Sequence, residues 1–183
     1  MRILIVNTSE RTGGAAVAAG RLVSALNNCG VQARMLVRDK QTTNPVVAAL
    51  PKSVRNGWRF LWERWTIFWH LHFKRRNLFA IDVANTGADI TSLPEFKQAD
   101  IIHLSWINQG MLSLNDIRKI VNSGKPVVWT MHDIWPATAI CHLTLGCNNF
   151  KQQCRRCKYL PGGGGDNDLS TKVWNKKKRI YEK

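Results

Sequence analysis

The chain has 183 residues, with 27 lysines and arginines against 12 aspartates and glutamates, so its formal net charge is +15. This length fits one ordinary domain with a sizeable core, which does not need disulfides to hold it together. The first residues carry no signal-peptide pattern, and no uncharged apolar run approaches the roughly 18–20 residues of a membrane-spanning helix, so we expect a cytoplasmic protein.

Strand and helix patterns alternate along a single predicted domain, residues 1–183. Continuous apolar runs predict buried strands at Ile3–Val6, Ala33–Val37, Ile101–Leu104 and Val127–Thr130. Helix-forming residues predict helices at Ala15–Leu26, at Leu114–Val121 and, in a basic segment, at about 168–183. This alternation implies βαβ units, so the predicted fold class is α/β with a doubly wound parallel sheet.

The turn between the first strand and the first helix contains Gly13 and Gly14. In a parallel sheet this turn points the amides of the helix N-terminus towards a crevice, and glycine lets a ligand approach the backbone. The turn lacks the GxGxxG pattern of dinucleotide-binding proteins. Both glycines are candidate ligand-binding residues, with a tight turn before a helix as the alternative.

His132 and Asp133 directly follow the fourth predicted strand. Parallel α/β folds place their chemistry at the carboxyl ends of strands, where a histidine can hydrogen-bond a ligand hydroxyl or share charge in a transition state. Both residues are therefore catalytic candidates. The alternative is a structural histidine that caps a loop.

Aromatic and amide side chains follow the third predicted strand and are typical of the walls of a sugar or nucleotide pocket. The candidates there are Trp106, Asn108 and Gln109. Trp135, two residues beyond the His-Asp pair, is a further candidate for donor or acceptor binding. His103 lies inside the apolar strand, so we expect a core histidine.

Four cysteines cluster in a predicted loop at 141–157. One structural zinc ion could be held by the thiolates of Cys141, Cys147, Cys154 and Cys157. Clustered cysteines in a cytosolic protein are more often metal ligands than disulfides. Two disulfides remain the alternative, and His142 could replace one ligand.

Residues 55–76 combine arginines with a stripe of tryptophans at helical spacing: Trp58, Trp62, Trp65 and Trp69. The excess positive charge is concentrated in residues 52–76 and 151–183. Tryptophan prefers the membrane–water interface, and each lysine or arginine near anionic lipid contributes about 1 kcal/mol. The segment therefore suggests docking on an anionic membrane surface. Packing of the stripe against the sheet and stacking on nucleic-acid bases are the alternatives.

The Gly13-Gly14 turn, the strand DIIHLSW and the run TMHDIWP with its following cysteines resemble a known family. Over essentially all 183 residues, the chain is similar to the N-terminal half of family-4 retaining glycosyltransferases of the GT-B fold, of the bacterial capsule and exopolysaccharide type. The resemblance implies a Rossmann-like domain that binds a glycan or lipid-linked glycan acceptor, while a second domain binds the nucleotide-sugar donor.

The same resemblance assigns roles to two places in this sequence. The Gly13-Gly14 turn would approach the donor diphosphate and the acceptor, and His132 would contact the transferred sugar. No catalytic metal is expected, and action at the inner face of the membrane would account for the tryptophan-rich helix.

Two departures from the family pattern stand out. Ser105 replaces the second histidine of a His-x-His-Trp pattern, and the donor-site Glu-x7-Glu pair has no counterpart in the 183 residues. We therefore expect the donor-binding domain to be absent and the isolated chain to be inactive. The alternative functions are a basic, zinc-containing nucleic-acid-binding module and an inactive fragment.

Overall fold

A computed structural model describes residues 1–51 and 54–182 of the chain. The strands are β1 (Arg2–Ser9), β2 (Gln32–Asp39), β3 (Val47–Ala49), β4 (Ile101–Leu104) and β5 (Val127–Trp129). The helices are α1 (Gly14–Asn28), α2 (Val54–His70), α3 (Pro94–Gln98), α4 (Leu114–Val121) and α5 (Leu169–Tyr181). In this part of the chain all strands are parallel, in the order β3-β2-β1-β4-β5, and the predicted α/β fold class is confirmed.

The chain reverses its direction of winding at β1, which pairs with β2 on one side and with β4 on the other. Val6 of β1 is in register with Leu36 of β2 and Leu104 of β4, and Leu104 is in register with Trp129 of β5. The carboxyl ends of these strands therefore lie side by side. In open parallel sheets such a switch point is where ligands bind.

Both faces of the sheet are buried, which explains why the strands read as continuous apolar runs. On one face α1 covers a cluster that includes Ile5, Met35, Val37, Ala19 and Val23. The larger cluster on the other face includes Leu4, Val6, Ile102, Leu104, Ile117 and Ile120. The sheet is therefore doubly wound, as predicted.

Each of the four predicted strands and three predicted helices is present within three residues of its expected bounds, but β3 and α3 were not predicted. Both are short, with three and five residues, so neither has room for a periodic pattern. The predicted helix at about 168–183 is observed as α5, and Lys183 lies outside the described residues.

A capping box fixes the start of α4. The Ser113 hydroxyl accepts a hydrogen bond from the Asp116 amide at 3.1 Å, and the Ser113 amide donates to the Asp116 carboxylate at 2.9 Å. Ser113→Ala should lower the free energy of unfolding by about 1 kcal/mol, because the buried Asp116 amide loses the hydroxyl that accepts its hydrogen bond. Urea unfolding followed by circular dichroism measures the change.

Ser24→Ala is the matched control for this prediction. Ser24 lies exposed in the middle of α1, where its hydroxyl donates only to the Gly20 carbonyl at 3.1 Å. Alanine is the better helix former at such a position, so no loss of stability is expected there. Equal losses in the two variants would show that the Ser113 cap contributes nothing specific.

Candidate functional site

A crevice of about 500 Å³ lies at the carboxyl ends of β1, β2, β4 and β5. Among the residues predicted to form a site, its lining contains Gly13, Gly14, Trp106, Gln109, His132 and Asp133. Its other lining residues are Asn7, Thr8, Ser9, Thr12, Ala15, Arg38 and Asp39. The fold thus brings together residues that are more than 100 positions apart in the sequence.

The glycine turn supplies backbone donors to one side of the crevice. Gly13 is the residue before α1, with φ of 90°, a conformation that favours glycine. It provides no side-chain cap, and the first turn of α1 contains no acidic residue. The amides at the start of α1 and its positive dipole end are therefore available to an anionic group.

His132 also lines the crevice and is exposed in the segment that follows β5. Its Nε2 atom is 2.8 Å from the Ser105 hydroxyl, which orients the ring. Ser105 is the position at which the sequence departs from the His-x-His-Trp pattern. In this structure Ser105 is a hydrogen-bond partner of His132.

Asp133 is largely buried and holds several elements together. Its Oδ2 atom accepts hydrogen bonds from Trp106 Nε1 at 2.9 Å and lies 2.8 Å from His142 Nδ1. Its Oδ1 atom accepts from the Trp135 amide at 2.8 Å. Burial acts to raise the pKa of Asp133, but these hydrogen bonds and the His142 ring outweigh it and lower the pKa below its usual value. Asp133 therefore fixes the Trp106 wall, and His132 is the more accessible of the two catalytic candidates.

Two of the predicted pocket residues do not line the crevice. Trp135 is fully buried, and its indole N–H donates to the Asp82 carbonyl at 2.9 Å. Asn108 is also buried, and its carbonyl accepts a hydrogen bond from the Thr8 hydroxyl at 2.9 Å. The prediction that Trp135 and Asn108 line the pocket is therefore wrong. Both side chains are buried beneath the crevice, because the chain turns inward after β4 and again after Asp133.

The sequence analysis missed the polar ends of β1 and β2. Asn7 accepts a hydrogen bond from the Trp106 amide at 2.9 Å, and the half-buried Arg38 donates to the Gln109 carbonyl. Burial lowers the pKa of Arg38, which remains the cationic side chain in the lining of the crevice. The sequence does contain a pattern that predicts these residues, because polar residues directly follow each buried apolar run.

The four predicted tryptophans form an exposed surface of α2, which we call the tryptophan face: Trp58, Trp62, Trp65 and Trp69, each between 51% and 65% exposed. The alternative that the stripe packs against the sheet is therefore wrong. The opposite side of α2 is buried and includes Glu63, Arg64 and Ile67. Side chains of 54–56 lie outside the described residues, so the predicted basic segment 55–76 is described from Gly57.

A groove of about 560 Å³ opens on the tryptophan face. Three of its tryptophans line this groove together with Phe68, Leu78 and Arg75. The exposed residues Lys74 and Arg76 lie beside Arg75 in the sequence. Among the described helices, none is long and apolar enough to cross a membrane.

The fold and the crevice define an α/β protein with a Rossmann-like parallel sheet and a candidate site at its switch point. No protein-family model and no solved structure matches the chain. A local match exists to a protein of Escherichia coli (strain K12) named "Putative colanic acid biosynthesis glycosyl transferase WcaC". The two chains are 33% identical over 73 residues, which are 38% of this chain and 18% of that protein.

Proposed function

We propose that this chain forms the acceptor-binding domain of a glycosyltransferase of cell-surface polysaccharide synthesis, of the retaining, family-4, GT-B type. The observation that supports the proposal is the crevice itself, whose lining includes both His132 and the Gly13-Gly14 turn. The local likeness to a protein named as a glycosyl transferase supports the same class.

The chemistry of the crevice suits a phosphorylated sugar. The amides at the start of α1 and the Arg38 guanidinium would bind phosphate oxygens, and the Trp106 ring would pack on an apolar sugar face. The His132 ring, held by Ser105, would hydrogen-bond the transferred sugar. The donor nucleotide would be held mainly by a second domain, and no catalytic metal forms part of this proposal.

Binding of the crevice to its substrates can be tested by NMR. We expect one or more members of a panel of nucleoside diphosphate sugars and polyprenyl-phosphate saccharides to shift the Gly13 and Gly14 amides and the Trp106 indole N–H. His132→Ala should weaken binding about ten-fold, the loss of one or two hydrogen bonds. His72→Ala, an exposed histidine that is not in the crevice lining, is the control. Shifts confined to other surfaces, or none with the whole panel, would contradict the proposal.

The tryptophan face would hold the protein on an anionic cytoplasmic membrane surface as a peripheral protein. The face combines exposed indoles with the exposed cations Lys74, Arg75 and Arg76, which complement anionic headgroups. Docking there would bring a lipid-linked acceptor within reach of the domain.

Flotation with vesicles tests this docking. Binding should need phosphatidylglycerol, and Trp62→Ala and Trp65→Ala should each weaken it at least about ten-fold, since each indole loses its burial in the interface. Val121→Ala, an exposed apolar residue on α4, should leave binding unchanged. Salt-sensitive RNA binding without vesicle binding would instead favour a nucleic-acid-binding module.

A further inference from the structure

The loop at 141–157, here called the cysteine loop, brings its four cysteines to one small cavity. Cys141, Cys147, Cys154 and Cys157 all line this cavity of about 20 Å³. All five cysteines of the chain are free thiols, and Cys29 lies apart, exposed at the end of α1. Four thiols from separate turns of one loop thus face the same space.

Little regular structure holds the cysteine loop in place. Within the described residues it contains one short 3-10 turn, Asn149–Lys151, and one isolated bridge, between Cys141 and Ile81. Core packing and hydrogen bonds hold parts of the loop: Cys154 lies in the main hydrophobic cluster, and the Cys157 amide donates to Asp168 at 3.0 Å. Loops of this length without secondary structure are uncommon in compact domains, so a covalent or metal crosslink would explain its order.

We propose that these four cysteines bind one Zn²⁺ ion as thiolates. Zinc takes four such ligands in a closed tetrahedral site at about 2.3 Å, and the thiol protons are released to solvent on binding. No group of three or more potential ligand side chains among the described residues already has metal-binding geometry. The loop must therefore close around the ion, which couples metal binding to the folding of this segment.

Two cationic residues complement the net negative charge of a four-thiolate zinc site. Arg155 contributes to the lining of the cavity. Lys177 of α5 is fully buried and donates to the carbonyls of Trp135 at 2.6 Å and Thr138 at 2.9 Å, three residues before Cys141. Burial lowers the pKa of Lys177 well below its usual value, and a nearby anionic site would stabilise its protonated form.

The zinc site would also support the crevice. His142 directly follows Cys141, and its Nδ1 atom is 2.8 Å from Asp133 Oδ2, which in turn holds Trp106. Fixing Cys141 would therefore fix the His142 ring against Asp133. The metal would act as a positioning element without touching a substrate.

Elemental analysis of protein purified without chelators tests the proposal. We expect close to one zinc ion per chain, and Cys154→Ser and Cys157→Ser should each lose most of it and unfold at lower temperature. Cys29→Ser should keep the full zinc content. Absence of zinc from the purified wild-type protein, together with either free thiols or two disulfides by intact mass, would overturn the proposal.

A second measurement does not depend on variants that fold. Wild-type protein stripped with a chelator and reloaded with Co²⁺ should show the strong near-ultraviolet absorption of thiolate-to-cobalt charge transfer. Reloading with diamagnetic Zn²⁺ instead should shift the Trp106 indole N–H resonance, because Cys141 is connected to that indole through His142 and Asp133. Weak absorption typical of oxygen and nitrogen ligands alone would rule out a thiolate site. This test is independent of sugar binding.

Discussion

Asp133→Asn is expected to lower the free energy of unfolding by about 3 kcal/mol and to loosen the Trp106 wall of the crevice. Three groups converge on the Asp133 carboxylate: Trp106 Nε1 and His142 Nδ1 at Oδ2, and the Trp135 amide at Oδ1. Asparagine has the same shape but only one acceptor oxygen. Whichever way its amide turns, an NH₂ group faces a donor, and each buried group left unsatisfied costs about 1–3 kcal/mol.

The effect on the crevice can be separated from the effect on stability. Urea unfolding gives the free energy, and the Trp106 indole N–H resonance in the folded variant reports whether the ring has lost its anchor. Asp166→Asn is the matched control, because Asp166 is exposed and its bonds to Arg156, at 2.9 and 2.7 Å, lie at the surface. Its replacement should leave the free energy of unfolding close to that of the wild type, because surface ion pairs contribute little. If both variants lose equally little, Asp133 is not the anchor of the site.

The sheet could be predicted from the sequence because its strands are buried on both faces. Ile3–Val6 and Ile101–Leu104 are continuous apolar runs, and each is followed by polar residues at the edge where parallel strands end. The capping box at Ser113 was equally visible, since its two residues are close in sequence. Elements that are predicted from such local patterns are therefore observed close to their predicted positions.

The burial of individual side chains beyond the strand ends could not be predicted. Trp135 and His132 stand three positions apart in an irregular segment, yet one is fully buried and the other exposed. Gly87 is a comparable case: a Cβ there would lie 2.0 Å from the Ser113 amide nitrogen, a contact made by a residue 26 positions away. The burial and contacts of such residues depend on how the loops pack, and no periodic pattern in the sequence indicates that packing.

The buried pair formed by Glu63 and Asp82 was likewise invisible in the sequence. The Glu63 carboxyl, on the inner side of α2, accepts a hydrogen bond from the Ala84 amide at 2.7 Å. Asp82 binds Arg64 Nη2 at 3.0 Å and accepts from the Gln109 amide at 3.1 Å. The pair thus connects the helix of the tryptophan face to the backbone of the crevice.

We expect Glu63 to keep its proton at neutral pH in the folded protein. Burial first, and then the charge and hydrogen bond of Asp82, raise its pKa from 4.5 to about 10. Burial of Asp82 acts against its ionisation, but the hydrogen bond from Glu63 and the charge of Arg64 lower its pKa. One proton is therefore shared between two carboxyl groups, with Asp82 as the anion.

The free energy of unfolding should fall as pH rises through the range between the two pKa values of Glu63. There the folded state holds a proton that the unfolded state has released, so the Glu63 contribution declines by about 1.4 kcal/mol per pH unit. It is fully present below the unfolded pKa and is lost as pH approaches the folded value near 10. Asp82 contributes in the opposite sense, since its stabilisation disappears only on acidification.

Glu63→Gln should remove this decline and make the protein more stable than the wild type by about 5 kcal/mol at pH 8. The glutamine carbonyl can still accept from the Ala84 amide, and its NH₂ group can donate to Asp82 as the protonated carboxyl does. Burial lowers the pKa of His70 and His103, but both residues are present in the two proteins. The difference between the free energies of unfolding of the two proteins, measured with urea from pH 5 to 9, therefore reports the contribution of Glu63.

Glu182→Gln, at an exposed carboxylate, is the control and should leave the wild-type pH dependence intact. Parallel curves for Glu63→Gln and the wild type would mean that Glu63 is ionised in the folded protein.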